Sequence, residues 1–468
     1  MRYINVFTSD KLTKNKLSST DWKLSPDSYS TFESAHILLG YFLADRTSEN
    51  PISDSHPLPL DGILEWEHTY PLEKVINSRK DLDFLIAHPN LLRNSIIIIE
   101  PWDHVGFNHL AEYVRASKNI AYIAQKIATI NSILLPVWST GIMDPDVVIP
   151  AITSGYAVII EGGDPSTYDP STWTMPACPR EDMFKLIDKL LISRSPGSAP
   201  AIFICVGHQL AAECHIRLIR RAVKEIMTMT SFPSDASGLA LNILKDVAIR
   251  IETMGASLHI KKQDGRTAAN GWNDSHFAVT KNESIEIGDR NLLPYQAPER
   301  EKALNIPLEL IHAHALTADA HDGVIDTMIQ YEREISISMF HQDEVNEEAI
   351  LFANWAYRNI HDAIVPYRHM LAGSSLSWLL QLPDSIEILC STAAKNGEII
   401  TECSATCINY KDFETKRIRR SFSCQFHPEL MSDLRAIGWG GEPPSYKKLK
   451  QDDGARLLAR LIYEGMQE

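Results

Sequence analysis

Cys205 stands in the stretch Phe203-Ile204-Cys205-Val206-Gly207-His208-Gln209, where an apolar run gives way to a helix-forming one. A strand–turn–helix junction of this kind holds a nucleophile on a sharp turn above the edge of a sheet. The helix that follows offers free N–H groups and a positive dipole end, which favour a thiolate over a thiol. Gly207 fits that turn, because the chain there passes too close to itself for a side chain. A second stretch, Gln425-Phe426-His427-Pro428-Glu429, also ends an apolar run. A cysteine nucleophile needs a base that takes its proton and later returns it to a leaving amine. His427 can be that base, and Glu429 can fix its tautomer and stabilise the imidazolium. A third stretch, Glu161-Gly162-Gly163-Asp164-Pro165-Ser166, follows the apolar run Ala157–Ile160. Its paired glycines leave the backbone bare, so an N–H there can face a developing oxyanion. The chemistry these types suit is attack of a thiolate on a carbonyl carbon.

Each piece also has a plainer reading. A single cysteine at a strand end is ordinarily a small buried hydrophobe, and it is the company of Gly207, Gln209, His427 and Glu429 that argues for a catalytic place. Gly162–Gly163 could be a simple turn, although a position directly after a buried strand favours the oxyanion role. His341-Gln342-Asp343-Glu344-Val345 fits two readings equally, with His341 and Asp343 either lining a pocket or forming a helix N-terminal cap pair. The segment containing His312, His314, His321 and Asp322 has a His-x-His spacing but no further ligands to complete a shell, so an exposed insertion loop is expected rather than a metal site. Cys403 and Cys407 fall on one side of an expected strand and suit packing better than zinc. Neither a Walker A loop nor a Gly-x-Gly-x-x-Gly fingerprint occurs. No metal and no cofactor are expected.

Elements of two kinds must position these residues. Ile96–Ile99, Ile133–Val137, Ala157–Ile160 and Ala201–Ile204 are continuous apolar runs, as strands buried on both faces of a parallel sheet require. Helical spacing appears at Phe107–Val114, Asp182–Leu191, Leu210–Met229 and Glu347–Ile364. The alternation predicts an α/β fold with an open, mostly parallel sheet and flanking helices. Later strands over Ile335–Met339, Ile386–Leu389, Glu402–Asn409 and Ser421–Phe426 read as partly antiparallel, and Asp453–Tyr463 as a closing helix. Residues 1–94 are polar, with helical stretches at Phe32–Leu43 and Leu72–Leu85, and form an N-terminal extension. Residues 95–468 form one domain with insertions within about 211–330 and 346–380.

Composition narrows the function classes. The 60 acidic and 45 basic residues give a formal charge of −15. That balance excludes a broad nucleic-acid surface, which needs clustered positive charge. The one basic run, Lys416–Arg420, precedes an expected buried strand and reads as its solvated entrance. No apolar run nears the ~20 residues of a membrane span, and the first residues lack the apolar core of a secretion signal. Seven cysteines, an odd number, do not make a disulfide framework, so a cytoplasmic protein is expected.

Taken together the motifs resemble those of class I glutamine amidotransferases. That family carries a Gly-Gly-Pro loop, a Gly-x-Cys-x-Gly-x-Gln elbow, a His-x-Asp-x-Val segment and a terminal Gln-Phe-His-Pro-Glu, in that order. The resemblance covers about 95–210 and 331–468. It implies that Cys205 attacks the side-chain amide of glutamine, with the backbone N–H groups of Val206 and Gly163 holding the oxyanion. His427 would protonate the departing ammonia, and Gly162, Gln209, His341 and Asp343 would shape the pocket. The implied partners are glutamine or a γ-glutamyl compound and, for the ammonia, a separate synthetase subunit, with neither nucleic acid nor membrane. A γ-glutamyl amide or peptide hydrolase with the same triad is the nearest enzymatic alternative, and a catalytically inactive binding protein the alternative from another class. Phe203 replaces the family's glycine two residues before the nucleophile, and Asp164 separates Gly-Gly from Pro165. The phenylalanine ring must either enter the core, with Ala211 and Ala212 leaving room, or lean over the thiol.

Overall fold

In a computed structural model, the described residues are 72–75, 79–93, 95–100, 119–121, 123–124, 130–136, 145–163, 165–167, 172–173, 180–192, 199–228, single positions within 242–249, 278–294, 335–394, 397, 399–412, 418–430 and 452–465. The expected helices at Phe32–Leu43 and Phe107–Val114 and the histidine-rich segment around His312 lie outside them.

Ten strands form one sheet. They are β1 (Leu72–Val75), β2 (Ser95–Glu100), β3 (Asn131–Pro136), β4 (Ala157–Ile160), β5 (Ala201–Ile204), β6 (Val279–Pro294), β7 (Ile335–Val345), β8 (Ser385–Ala393), β9 (Ile399–Lys411) and β10 (Ile418–Cys424). Their order is β1-β3-β2-β4-β5-β10-β9-β8-β6-β7. From β1 to β10 every neighbouring pair is parallel. The apolar runs follow from this: Ile96–Ile99, Val158–Ile160 and Ile202–Ile204 are all buried, as strands covered on both faces must be.

Beyond β10 the sheet turns antiparallel, so it is mixed, with five parallel neighbouring pairs and four antiparallel ones. For β8, β9 and β10 the reason is connection length. Only residues 412–417 join β9 to β10 and 394–398 join β8 to β9, whereas a parallel crossover takes a dozen or more residues. The helix expected over Leu72–Leu85 is also revised. Leu72–Val75 is a strand beside β3, and the helix is α1 (Arg79–Ala87).

Helices α1, α3 (Pro145–Ile152), α4 (Arg180–Leu191), α5 (Val206–Thr228) and α6 (Glu347–Ile364) contact one another in succession, with α2 (Pro89–Arg93) short and packed on α1 and β2. The closing helix α7 (Asp453–Gly465) packs against β10, β7 and β5. At its start a Cβ on Gly454 would meet the Pro428 carbonyl at 2.6 Å, so the helix docks directly on the His427-Pro428-Glu429 turn. Of the basic run, Arg419 and Arg420 lie within β10 and are half-buried rather than solvated, and Arg419 donates to the Ala199 carbonyl at 3.1 Å while lying over the Tyr410 ring. Among the described residues no helix is long and apolar enough to cross a membrane.

The sheet order explains why three distant stretches meet. β4, β5 and β10 are adjacent and parallel, so their carboxyl ends share one edge of the sheet. That edge is where open α/β sheets place their crevices. Glu161 follows β4, Cys205 follows β5 and Gln425 follows β10.

Candidate active site

The turn between β5 and α5 has the geometry that a nucleophile on a sharp corner requires. Cys205 has φ 50°, the only positive φ of a non-glycine residue among those described. A side chain in that left-handed region is strained and is held there by its surroundings. The Cys205 N–H donates to the Cys424 carbonyl at 2.7 Å, and the Gln209 N–H donates to the Cys205 carbonyl at 3.1 Å. One bond ties the corner to β10, and the other starts the helix. A Cβ at Gly207 would lie 2.9 Å from the Ile160 carbonyl oxygen, so the close approach expected there is to the end of β4.

β7 positions the second stretch. The His427 N–H donates to the Ser338 carbonyl at 2.8 Å, and the Ser338 hydroxyl donates to the Leu430 carbonyl at 2.7 Å. β7 is last in the sheet order, so the antiparallel half must curl for Ser338 to reach the residues that follow β10. The buried Asn119 amide adds a further tie to the Glu429 carbonyl at 2.9 Å. No pattern in the sequence points to Ser338 or Asn119, because their roles depend on how the sheet curls.

The side chains then form a chain of proton-transfer partners. His427 Nδ1 donates to Glu429 Oε1 at 2.7 Å, with the Glu429 side chain 1 % exposed and that of His427 11 %. The imidazole also hydrogen-bonds Cys205. With Nδ1 committed to Glu429, Nε2 is the nitrogen left for the thiol. Burial works against charge on the ring, but the sulfur of Cys205 and the Glu429 carboxylate outweigh it and hold the His427 pKa well above its ordinary value. Phe203 is fully buried, in register with Ile160 and Ser423, and does not separate the thiol from the imidazole. Ala211 and Ala212 are buried in the same core.

The glycines close the site from the β4 side. A Cβ at Gly162 would lie 2.6 Å from His427 Cε1 and 3.0 Å from Cys205 Cβ. One at Gly163 would lie 3.5 Å from Val206 Cγ1 and 3.3 Å from Pro165 Cδ. The two residues expected to supply oxyanion N–H groups, Gly163 and Val206, are therefore neighbours.

Gln209, His341 and Asp343 also converge. Gln209 Nε2 donates to the Asp343 carbonyl at 2.8 Å, and His341 Nδ1 donates to the same oxygen at 3.0 Å. Burial lowers the His341 pKa to about 4, and the nearby His427 charge adds to this. The cap reading of His341 and Asp343 is overturned, because both belong to β7 and the cap of α6 is Asn346, whose side chain accepts from the Glu348 N–H at 2.9 Å. Gln425 has no role in the expected triad or pocket. It is fully buried, its amide nitrogen lies 3.8 Å from Cys205 Sγ, and its Oε1 accepts from Gln209 at 3.4 Å. The signal was a glutamine in the otherwise apolar strand end Cys424-Gln425-Phe426.

Two more histidines of α5 brace the elbow helix. His208 Nε2 donates to the Cys403 carbonyl at 3.2 Å and Nδ1 meets the Ser423 hydroxyl at 2.7 Å. His215 Nδ1 meets the Tyr357 hydroxyl of α6 at 3.0 Å. Burial lowers both pKa values to about 3 from 6.5. The unfolded rings therefore bind protons between pH 6.5 and 3 while the folded ones do not. This stability is complete above pH 6.5 and is lost as pH falls towards 3. From pH 7 to pH 5 the loss is about 2 kcal/mol per ring. Urea unfolding at the two pH values should show it: His215→Phe should shrink the difference in stability between them by about 2 kcal/mol.

Among the described residues no group of three or more His, Cys, Asp and Glu is placed to hold a metal ion, and Cys403 and Cys407 are buried thiols. Comparison of the chain with protein-family models and with curated proteins gives no match.

Proposed function

We propose that this chain hydrolyses the side-chain amide of glutamine through a cysteine thioester, in the manner of a class I glutamine amidotransferase, and releases ammonia for an acceptor. The observation that carries the reading is the Cys205–His427–Glu429 chain of hydrogen bonds, set on a strained corner at the carboxyl edge of the sheet. Support for the family's fold comes from the meeting of its motifs on that edge, despite the mixed sheet.

In this mechanism His427 removes the Cys205 proton and Sγ bonds to the amide carbon. The carbonyl oxygen becomes an oxyanion against the N–H groups of Val206 and Gly163. His427 then gives its proton to the nitrogen, the C–N bond breaks and ammonia leaves. Water, deprotonated by His427, attacks the thioester, and glutamate departs as Cys205 regains its proton. The net reaction is glutamine plus water giving glutamate plus ammonia. Such a thiol must stay reduced, which suits the cytoplasm.

A diazo-ketone analogue of glutamine should label the full-length protein once, at Cys205, and purified protein should release ammonia from glutamine. Release from a γ-glutamyl anilide but not from free glutamine would move the substrate to larger γ-glutamyl compounds. Labelling at Cys214 with Cys205 untouched would overturn the nucleophile.

A further inference from the structure

We infer that Gln425 is a hydrogen-bond donor to the nucleophile, and that the backbone carbonyl of Asp343 sets its orientation through Gln209. The inference rests on the reading of Cys205 as the nucleophile. It needs no particular substrate.

An amide side chain has a donor end and an acceptor end of nearly the same shape, so only its hydrogen-bond partners decide which end points where. A backbone carbonyl can only accept. The Asp343 oxygen therefore requires the NH2 end of Gln209, which it meets at 2.8 Å. The same nitrogen lies 3.4 Å from Gln425 and presents it with a second N–H. Gln425 must answer with its oxygen, because its NH2 there would set donor against donor. That leaves the Gln425 NH2 aimed at Cys205 Sγ, at 3.8 Å. Gln209 is 4 % exposed and Gln425 is fully buried, so water is poorly placed to substitute for either partner. Reversing the relay would leave buried donors and acceptors facing their own kind, a costly arrangement.

The consequence is chemical. An N–H aimed at sulfur interacts more strongly with a thiolate than with a thiol, since hydrogen bonds to a charged acceptor are the stronger ones. Gln425 thus favours the reactive form alongside the His427–Glu429 pair. Asp343 is two residues from His341 in β7, so the segment expected to line the pocket also fixes this donor. A shift of β7 on substrate binding would reach the sulfur through two amides.

The test is the rate at which iodoacetamide alkylates Cys205 in the full chain, followed by mass spectrometry across pH. Gln425→Met keeps the length of the side chain and removes the donor. It should slow alkylation at pH 7 about tenfold and move the profile to higher pH. Gln209→Glu leaves Gln425 in place but offers it only oxygens. Gln425 should turn its NH2 away from the sulfur, giving a slowing of the same direction and similar size. Gln209→Met, which adds no charge, should slow alkylation in the same direction if Gln209→Glu does not fold. A purely structural role would lower the melting temperature and leave the pH profile where it was. Unchanged profiles in folded Gln425→Met and folded Gln209→Glu would overturn the inference, even in a protein that hydrolyses glutamine. The expected slowing in a protein inert towards glutamine would uphold it and count against the proposed substrate alone.

Discussion

His427→Ala should lower glutamine hydrolysis by roughly three to four orders of magnitude while leaving the protein folded. The imidazole is the only ring placed to hydrogen-bond both Cys205 and Glu429 among the described residues. Without it no other described group is placed to take the thiol proton or return one to the departing nitrogen. The fold should survive, because what anchors this turn is backbone: the His427 N–H on the Ser338 carbonyl and the Pro428 carbonyl packed on α7. Alanine keeps both. Glu429→Ala should cost roughly tenfold to a hundredfold less than His427→Ala, because an orienting carboxylate contributes less than the base it orients. Steady-state ammonia release, with circular dichroism as a check on folding, measures both. Equal losses in the two variants would mean that Glu429 does more than orient the ring. Undiminished turnover in His427→Ala would exclude this triad.

The parts of the site that were legible in the sequence are those written in local patterns. The runs Ala157–Ile160 and Ala201–Ile204 are strands over the same residues in the structure, because short, β-branched apolar runs bounded by turn signals suit strands buried on both faces. Glu347–Ile364 is likewise a helix over the expected residues. Gly207 was legible because a tight corner has few solutions. What the sequence hides is pairing between distant segments. The antiparallel pairing of β8, β9 and β10 follows from their short connections, whereas β6 and β7 are joined by residues 295–334 and carry no such signal. The curl that brings Ser338 to His427 has no local signature at all. His341 and Asp343 were ambiguous for a related reason, since a polar residue one turn before a helix and one lining a pocket look alike until the actual cap, Asn346, is seen. Gln425 went unassigned because a buried amide acquires meaning only from its partners, and those lie 216 and 220 positions away.

Gly162→Ala and Gly207→Ala should fail in opposite ways, and the contrast separates chemistry from folding. Both glycines sit where an added Cβ collides with something within 3 Å, but the obstacles differ. At position 207 the obstacle is the carbonyl oxygen of Ile160 at 2.9 Å, part of the β4 backbone at the centre of the sheet. Backbone in a packed core yields little, so Gly207→Ala should destabilise the protein by about 1–3 kcal/mol, as overpacking commonly does. At position 162 the obstacle is the edge of the His427 ring, 2.6 Å from the new carbon, with Cys205 Cβ at 3.0 Å. The ring can move where a strand cannot. It should swing off the added methyl, and a displacement near 1 Å is enough to spoil the transfer of a proton to and from the sulfur. Gly162→Ala should therefore cost about a hundredfold in turnover with little change in melting temperature. Labelling by the diazo-ketone should slow in parallel, because the displaced ring no longer assists the thiol. If Gly162→Ala instead lowered the melting temperature as much as Gly207→Ala and left turnover in the folded fraction intact, the contact between Gly162 and His427 would be packing alone, and the oxyanion loop would have to be sought elsewhere.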